Sequence, residues 1–153
     1  MSESMTAQER IAAVQARRAR QAEGEANARL EQEATDLEAI ADLEATHGND
    51  RVIAITIGTW KPGVGAPARI AVRVPLGSEK LCQRFIEQIN KAKEGSRERL
   101  TAQDALATEC WEYPPKGSEG FKAALEVAPL ILSHAALQIV KAAQGQAESE
   151  GKG

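Results

Sequence analysis

A chain of 153 residues, 42% hydrophobic and 3% aromatic, has room for one compact domain whose core must be built from Ile, Leu, Val and Ala. The formal net charge of -3 is uneven: residues 1–50 carry eleven acids against five arginines and no lysine, the remainder is mildly basic, and no like-charge run is long enough for a dedicated nucleic-acid arm. Two distant cysteines do not make a disulfide framework, and neither an apolar leader nor a run of ~18 apolar residues is present, so a cytoplasmic protein without a membrane span is expected.

Residues 2–46 are rich in Ala, Glu, Gln and Arg and predict one long helix or two shorter ones. Ile11 and Val14 lie near its start; Leu30, Leu37, Ile40 and Leu43 lie near its end, with Leu30 and Leu37 a heptad apart. Residues 15–29 hold no large apolar side chain, so the segment is expected as an acidic arm, either a coiled coil or partly disordered, serving a partner, self-association or only solvent. Gly48 ends it as a natural residue past the helix C-terminus. Residues 51–75 then predict a β-hairpin, the one sheet in the chain. Ile53, Ile55 and Ile57 alternate on one strand and Ile70, Val72 and Val74 on the other, around a bend containing Pro62 and Gly63. Pro75 closes the hairpin.

Helices follow. Ser78 is the expected N-cap of the first, with Leu81, Phe85, Ile86 and Ile89 as its inner stripe. Thr101 with Asp104 predicts the opening of a short second helix carrying Leu106 and Cys110 inward, broken by Tyr113-Pro114-Pro115. Ser118 predicts a third with Phe121 and Leu125 inward. Pro129 opens the last, with Leu130, Ile131, Ala135, Ile139 and Val140 as its stripe and Gly145 as its stop. The expected class is α+β, mostly helical, with one hairpin and a long N-terminal helix. Its divisions are the arm (1–46), a small domain (47–145) and a disordered tail (146–153).

No residue pattern carries catalysis. His47, Cys82, Cys110 and His134 lack the close paired spacing of zinc ligands. Gly58, Gly63 and Gly65 lack the Lys-Ser/Thr of a phosphate loop. Cys110 falls near a predicted helix C-terminus, where the dipole disfavours a thiolate, so both cysteines read as core thiols. Lys80, Arg84, Lys91, Lys93, Arg97 and Arg99 interleave with Glu79, Glu87, Glu94 and Glu98, the pattern of a solvated helix face and not of a nucleic-acid surface. Trp60, beside Lys61 and Pro62 at the hairpin tip, is a candidate contact residue unless it folds back over the hairpin. Trp111 and Tyr113 are expected as core edges against the last helix.

The order of features resembles the tail assembly chaperone class of small bacteriophage proteins. It is carried by the strand in HGNDRVIAITI, the return strand ending VRVP, the helices in LGSEKLCQRFIEQI and ending LATECWEYP, and the closing FKAALEVAPLILSHAALQIVKAAQG. It spans roughly residues 43–145 and rests on element order and on Pro75, Cys110, Trp111 and Pro114, none of them catalytic; the acidic arm before Leu43 has no counterpart in it. The resemblance implies a non-enzymatic protein, without metal or cofactor, that binds apolar helices of a tape-measure protein and keeps it soluble until tail tube subunits polymerise. It also implies self-association. The residues suited to such binding are Leu30, Leu37 and Ile40 on the arm, Trp60 on the hairpin, and Leu130 and Ile131, with Ile139, on the last helix. The alternative is a structural virion component of tail or capsid, incorporated through the arm.

Overall fold

The computed structural model describes residues 4–151, with side chains to residue 146. Helix α1 (Ala7–His47) is a single unbroken helix, about 60 Å long at the usual rise per residue. Thr6 caps its N-terminus by accepting from the Glu9 amide at 3.1 Å. Gly48 ends it at φ 98°, donating to the Glu44 carbonyl at 2.8 Å, as the sequence predicts. A 3-10 turn (Asn49–Arg51) leads into strand β1 (Val52–Thr56), and β2 (Arg69–Arg73) returns antiparallel with Ile53 opposite Val72 and Ile55 opposite Ile70.

The mostly helical α+β class and the hairpin stand, but the sheet is larger than expected. Trp111–Tyr113 forms β3 on the free edge of β2, giving an antiparallel sheet in the order β1-β2-β3. The residues of β3 are expected in a helix end packed on the last helix. They are instead extended because α3 stops at Glu109 and aromatic side chains suit a pleated, half-buried ladder.

Four helices complete the chain: α2 (Lys80–Lys91), α3 (Arg97–Glu109), α4 (Glu119–Val127) and α5 (Ile131–Gly151). Ser118 caps α4 as predicted, accepting from the Phe121 amide at 3.2 Å. Three other starts shift: α5 begins at Ile131 and not at Pro129, so Leu130 lies in the turn before it. Ser96, not Thr101, opens α3 by accepting from the Arg99 amide at 3.2 Å, so Thr101 lies inside the helix. Glu79, not Ser78, precedes α2, and its carboxylate is drawn instead to the Leu76 amide at 2.6 Å and to Arg73. Gly145 does not stop α5, since one glycine costs a helix only about 1 kcal/mol and good helix formers surround it. The tail expected over 146–153 is therefore helical as far as Gly151, and its last two residues lie outside those described.

The sheet separates two layers. On one side Ile55, Ile57, Ile70 and Val72 pack into the main core with Cys82, Ile86 and Ile89 of α2, Leu106 of α3, Ala124 of α4, and Ala135 and Ile139 of α5. On the other side lies the second half of α1, in contact with all three strands. The stripe Arg29, Glu33, Asp36, Ile40, Leu43 and His47 repeats at helical spacing and is buried or half-buried, whereas nearly every residue from 7 to 27 is exposed. The expected boundary at 46/47 thus does not separate two bodies, because Asp36 and Ile40 belong to the interior of the domain.

No single helix among the described residues is long and apolar enough to cross a membrane. Helices α4 and α5 together have the composition, but they meet at 95° and their Ala124, Ala135, Ala136 and Ile139 are fully buried in the core.

Candidate functional site

The fold divides the six candidate contact residues. Ile40 (2% exposed) and Ile131 (6%) are core residues and not partner-binding ones: Ile40 points at the sheet, and Ile131 joins the main core with Ile139. Trp60 folds back; its ring is half-buried against the core and its Nε1 donates to the Ala66 carbonyl at 2.7 Å. Three leucines stay outside. Leu30 is 63% exposed, Leu37 46% and Leu130 77%. Leu137, 45% exposed, repeats Leu130 after seven residues with exposed His134 between them. The molecule therefore offers two separate leucine pairs seven residues apart in sequence, one on α1 and one formed by Leu130 in the turn before α5 and Leu137 on α5.

The titratable groups are spent on internal ties. Asp36 is fully buried on α1, where an ionised carboxylate needs strong donors. It accepts from the Ala68 amide at 2.7 Å and the Arg69 amide at 3.0 Å through Oδ2, and from Gln32 Nε2 at 2.9 Å and the Tyr113 hydroxyl through Oδ1. Burial, together with the bond to Asp36, pushes the Tyr113 phenol well above its ordinary range. Asp36 thereby fastens α1 to the start of β2 and to β3.

A second tie surrounds Arg73 on β2. Its Nη2 meets Glu79 at 2.8 Å and its Nε meets Glu112 at 3.0 Å, while His47 Nε2 stands 3.8 Å from the same Glu112 oxygen. Beneath it, Cys82 and Cys110 lie Sγ to Sγ at 3.9 Å, and Arg73 Nη1 is 3.8 Å from Cys110 Sγ. Both thiols are buried and free, as expected from the sequence. Burial raises both above the ordinary thiol range, and for Cys110 the neighbouring Cys82 adds to the shift while Arg73 only partly offsets it. A thiol held neutral in this way is a poor nucleophile. For Arg73, burial works against the charge, but the carboxylates of Glu79 and Glu112 outweigh it and the guanidinium is held above its usual value.

Among the described residues no three His, Cys, Asp or Glu side chains gather as a metal site. An open groove of about 740 Å³ between α2 and α3 has Phe85 and Ala102 on its walls and a rim where Arg84, Lys91 and Arg97 alternate with Glu87 and Glu98. Trp111 and Tyr113 serve the fold: Trp111 meets Phe121 of α4 edge-on, with centroids 5.0 Å apart, and its Nε1 donates to the Pro114 carbonyl at 2.7 Å. Neither Asp36 nor Arg73 stands out in the sequence. The only sign of Asp36 is an acid four residues before Ile40, on what proves to be the inward side. No protein-family model, curated protein or solved structure matches the chain.

Proposed function

We propose that this protein is a non-enzymatic binding protein of the phage tail assembly chaperone type. It holds an apolar helix of a tape-measure protein in the host cytoplasm until tube subunits enclose it. The observation that carries this reading is the apolar surface formed by Leu130, in the turn before α5, and Leu137, on α5, which the core does not use. An amphipathic partner helix would seat its own i, i+4 and i+7 anchors on such a face. The resemblance in element order over residues 43–145 supports the same role, and so does the use of Asp36, Arg73 and both cysteines in internal packing.

The test is co-expression with a phage tape-measure protein. The wild-type chain should raise the soluble yield of that protein, and Leu130→Glu with Leu137→Glu should abolish the gain while leaving the circular dichroism spectrum unchanged. Recovery of the chain at fixed stoichiometry in purified particles, or an unchanged yield with the double variant, would overturn the reading.

A further inference from the structure

Among the described residues nothing covers the half of α1 that leaves the body. Residues 7–27 extend about 30 Å, and most helical stability in proteins comes from packing of one face against other structure. Its outward face is continuous with the exposed Leu30 and Leu37: Ala12, Ala16, Ala19 and Ala26 precede them at spacings of three, four or seven residues, and all are exposed, with Glu23 the one polar position in the series. This face is turned about 100° around the helix axis from the stripe that packs on the sheet, so covering it disturbs nothing inside the body.

Charge identifies the cover. Residues 7–22 hold Arg10, Arg17, Arg18 and Arg20 against the single acid Glu9, whereas residues 23–47 hold eight acids against the single Arg29. One end of the helix is therefore basic and the other strongly acidic. We propose that two copies of this chain pair antiparallel along the Leu30/Leu37 face of α1, so that each arginine-rich half lies along the acidic half of the other.

A parallel pair would set acid against acid over half its length, a penalty the antiparallel arrangement converts into attraction. The symmetry also fits the body. A two-fold axis perpendicular to two antiparallel helices places both bodies on one side of the pair, offset along it. The projecting half of each copy then runs beside the partner's body. Ile11, 57% exposed, lies 18 residues and five turns before Arg29, on the sheet-facing side of the arm, and in the pair it turns toward that body. The pairing is independent of the tail-protein reading, whose surface is formed by Leu130 and Leu137.

The experiment measures mass by light scattering on the full chain alone, at tens of micromolar and low salt. The expected mass is twice 16.4 kDa. Leu30→Glu with Leu37→Glu should raise the dissociation constant on the order of ten-fold or more. Arg20→Glu, outside the packed body and flanking the leucine face, should weaken the pair as well, and adding Glu38→Arg on the same flank should restore it. A single-copy mass for the wild type overturns the proposal, and so does a pair indifferent to the leucine changes. A pair indifferent to the arginine reversal excludes the antiparallel arrangement, because in a parallel pair the reversal exchanges one like-charge contact for another. If the leucine variant unfolds, the arginine reversal and its rescue decide the matter alone.

Discussion

Asp36 on α1 and Tyr113 on β3, 77 residues apart in sequence, share a hydrogen bond inside the protein. The same carboxylate takes two backbone amides at the start of β2, so one acid joins a helix, the entry to the central strand and the last strand of the sheet. Removing it leaves two amides and a hydroxyl to find other partners. Asp36→Ala should therefore cost about 3 kcal/mol in urea unfolding, and Tyr113→Phe about 1 kcal/mol, since it deletes one donor and leaves the amides paired. A loss below about 1 kcal/mol for Asp36→Ala would show that the tie contributes little.

Stability should decline at alkaline pH, in two stages. Cys82, Cys110 and Tyr113 have folded pKa values raised chiefly by burial, so the folded state favours their protonated forms. A group raised in this way contributes stability that is complete below its unfolded pKa and is lost as pH rises toward its folded value. The thiol contribution should start to fall above about pH 8.5, and the phenol contribution above about pH 10. Each group can add a slope of at most about 1.4 kcal/mol per pH unit. Urea midpoints from pH 7 to 10 should show the first fall in the wild type and a much smaller one in a Cys82→Ala, Cys110→Ala variant. Equal slopes in the two proteins would rule out the thiols as its source.

Arg73 ties β2 to Glu79 before α2 and to Glu112 in β3, and it lies over Cys110. Its side chain is mostly covered, so the two ion pairs are worth more than surface pairs, although the exposure left to both glutamates screens them. Arg73→Ala should cost about 2 kcal/mol. Arg73→Lys should recover only part of that, because an ammonium cannot reach two carboxylates in a fork as a guanidinium does. If lysine restores full stability, the geometry of the fork is irrelevant and only the charge counts.

How far the fold could be read from the sequence depended on whether a feature was periodic. Alternating isoleucines and valines gave away β1 and β2, and Ser118 at a helix start gave away α4, because each is a local rule. Strand β3 was hidden: three residues between a helix and two prolines carry no alternation to detect, and only the free edge of β2 makes them a strand. Asp36 was hidden for a different reason. In an acidic helix it looks like any solvated acid, and its role is fixed by the Ala68 and Arg69 amides, which come from the entry to β2 about thirty residues later. The cysteines were legible as buried thiols, but their approach to each other and to Arg73 depends on how α2, α3 and β2 meet.

The leucine-rich end of α1 shows the same limit and supplies the last prediction. Leu30, Leu37 and Ile40 look like one stripe, but Leu37 lies about 60° around the axis from Ile40, on the edge away from the sheet, and the sheet takes only the Ile40 side. Ile40 is 2% exposed and Leu37 46%, so shortening each to alanine should separate them sharply. Ile40→Ala should cost about 2–4 kcal/mol, the lost burial plus the cavity left between α1 and the sheet. Leu37→Ala should change stability by less than about 0.5 kcal/mol when measured dilute enough for single copies. Comparable losses at the two positions in dilute urea unfolding would mean that α1 presents a different face to the sheet, and the surface assigned to a second copy would then be part of the core.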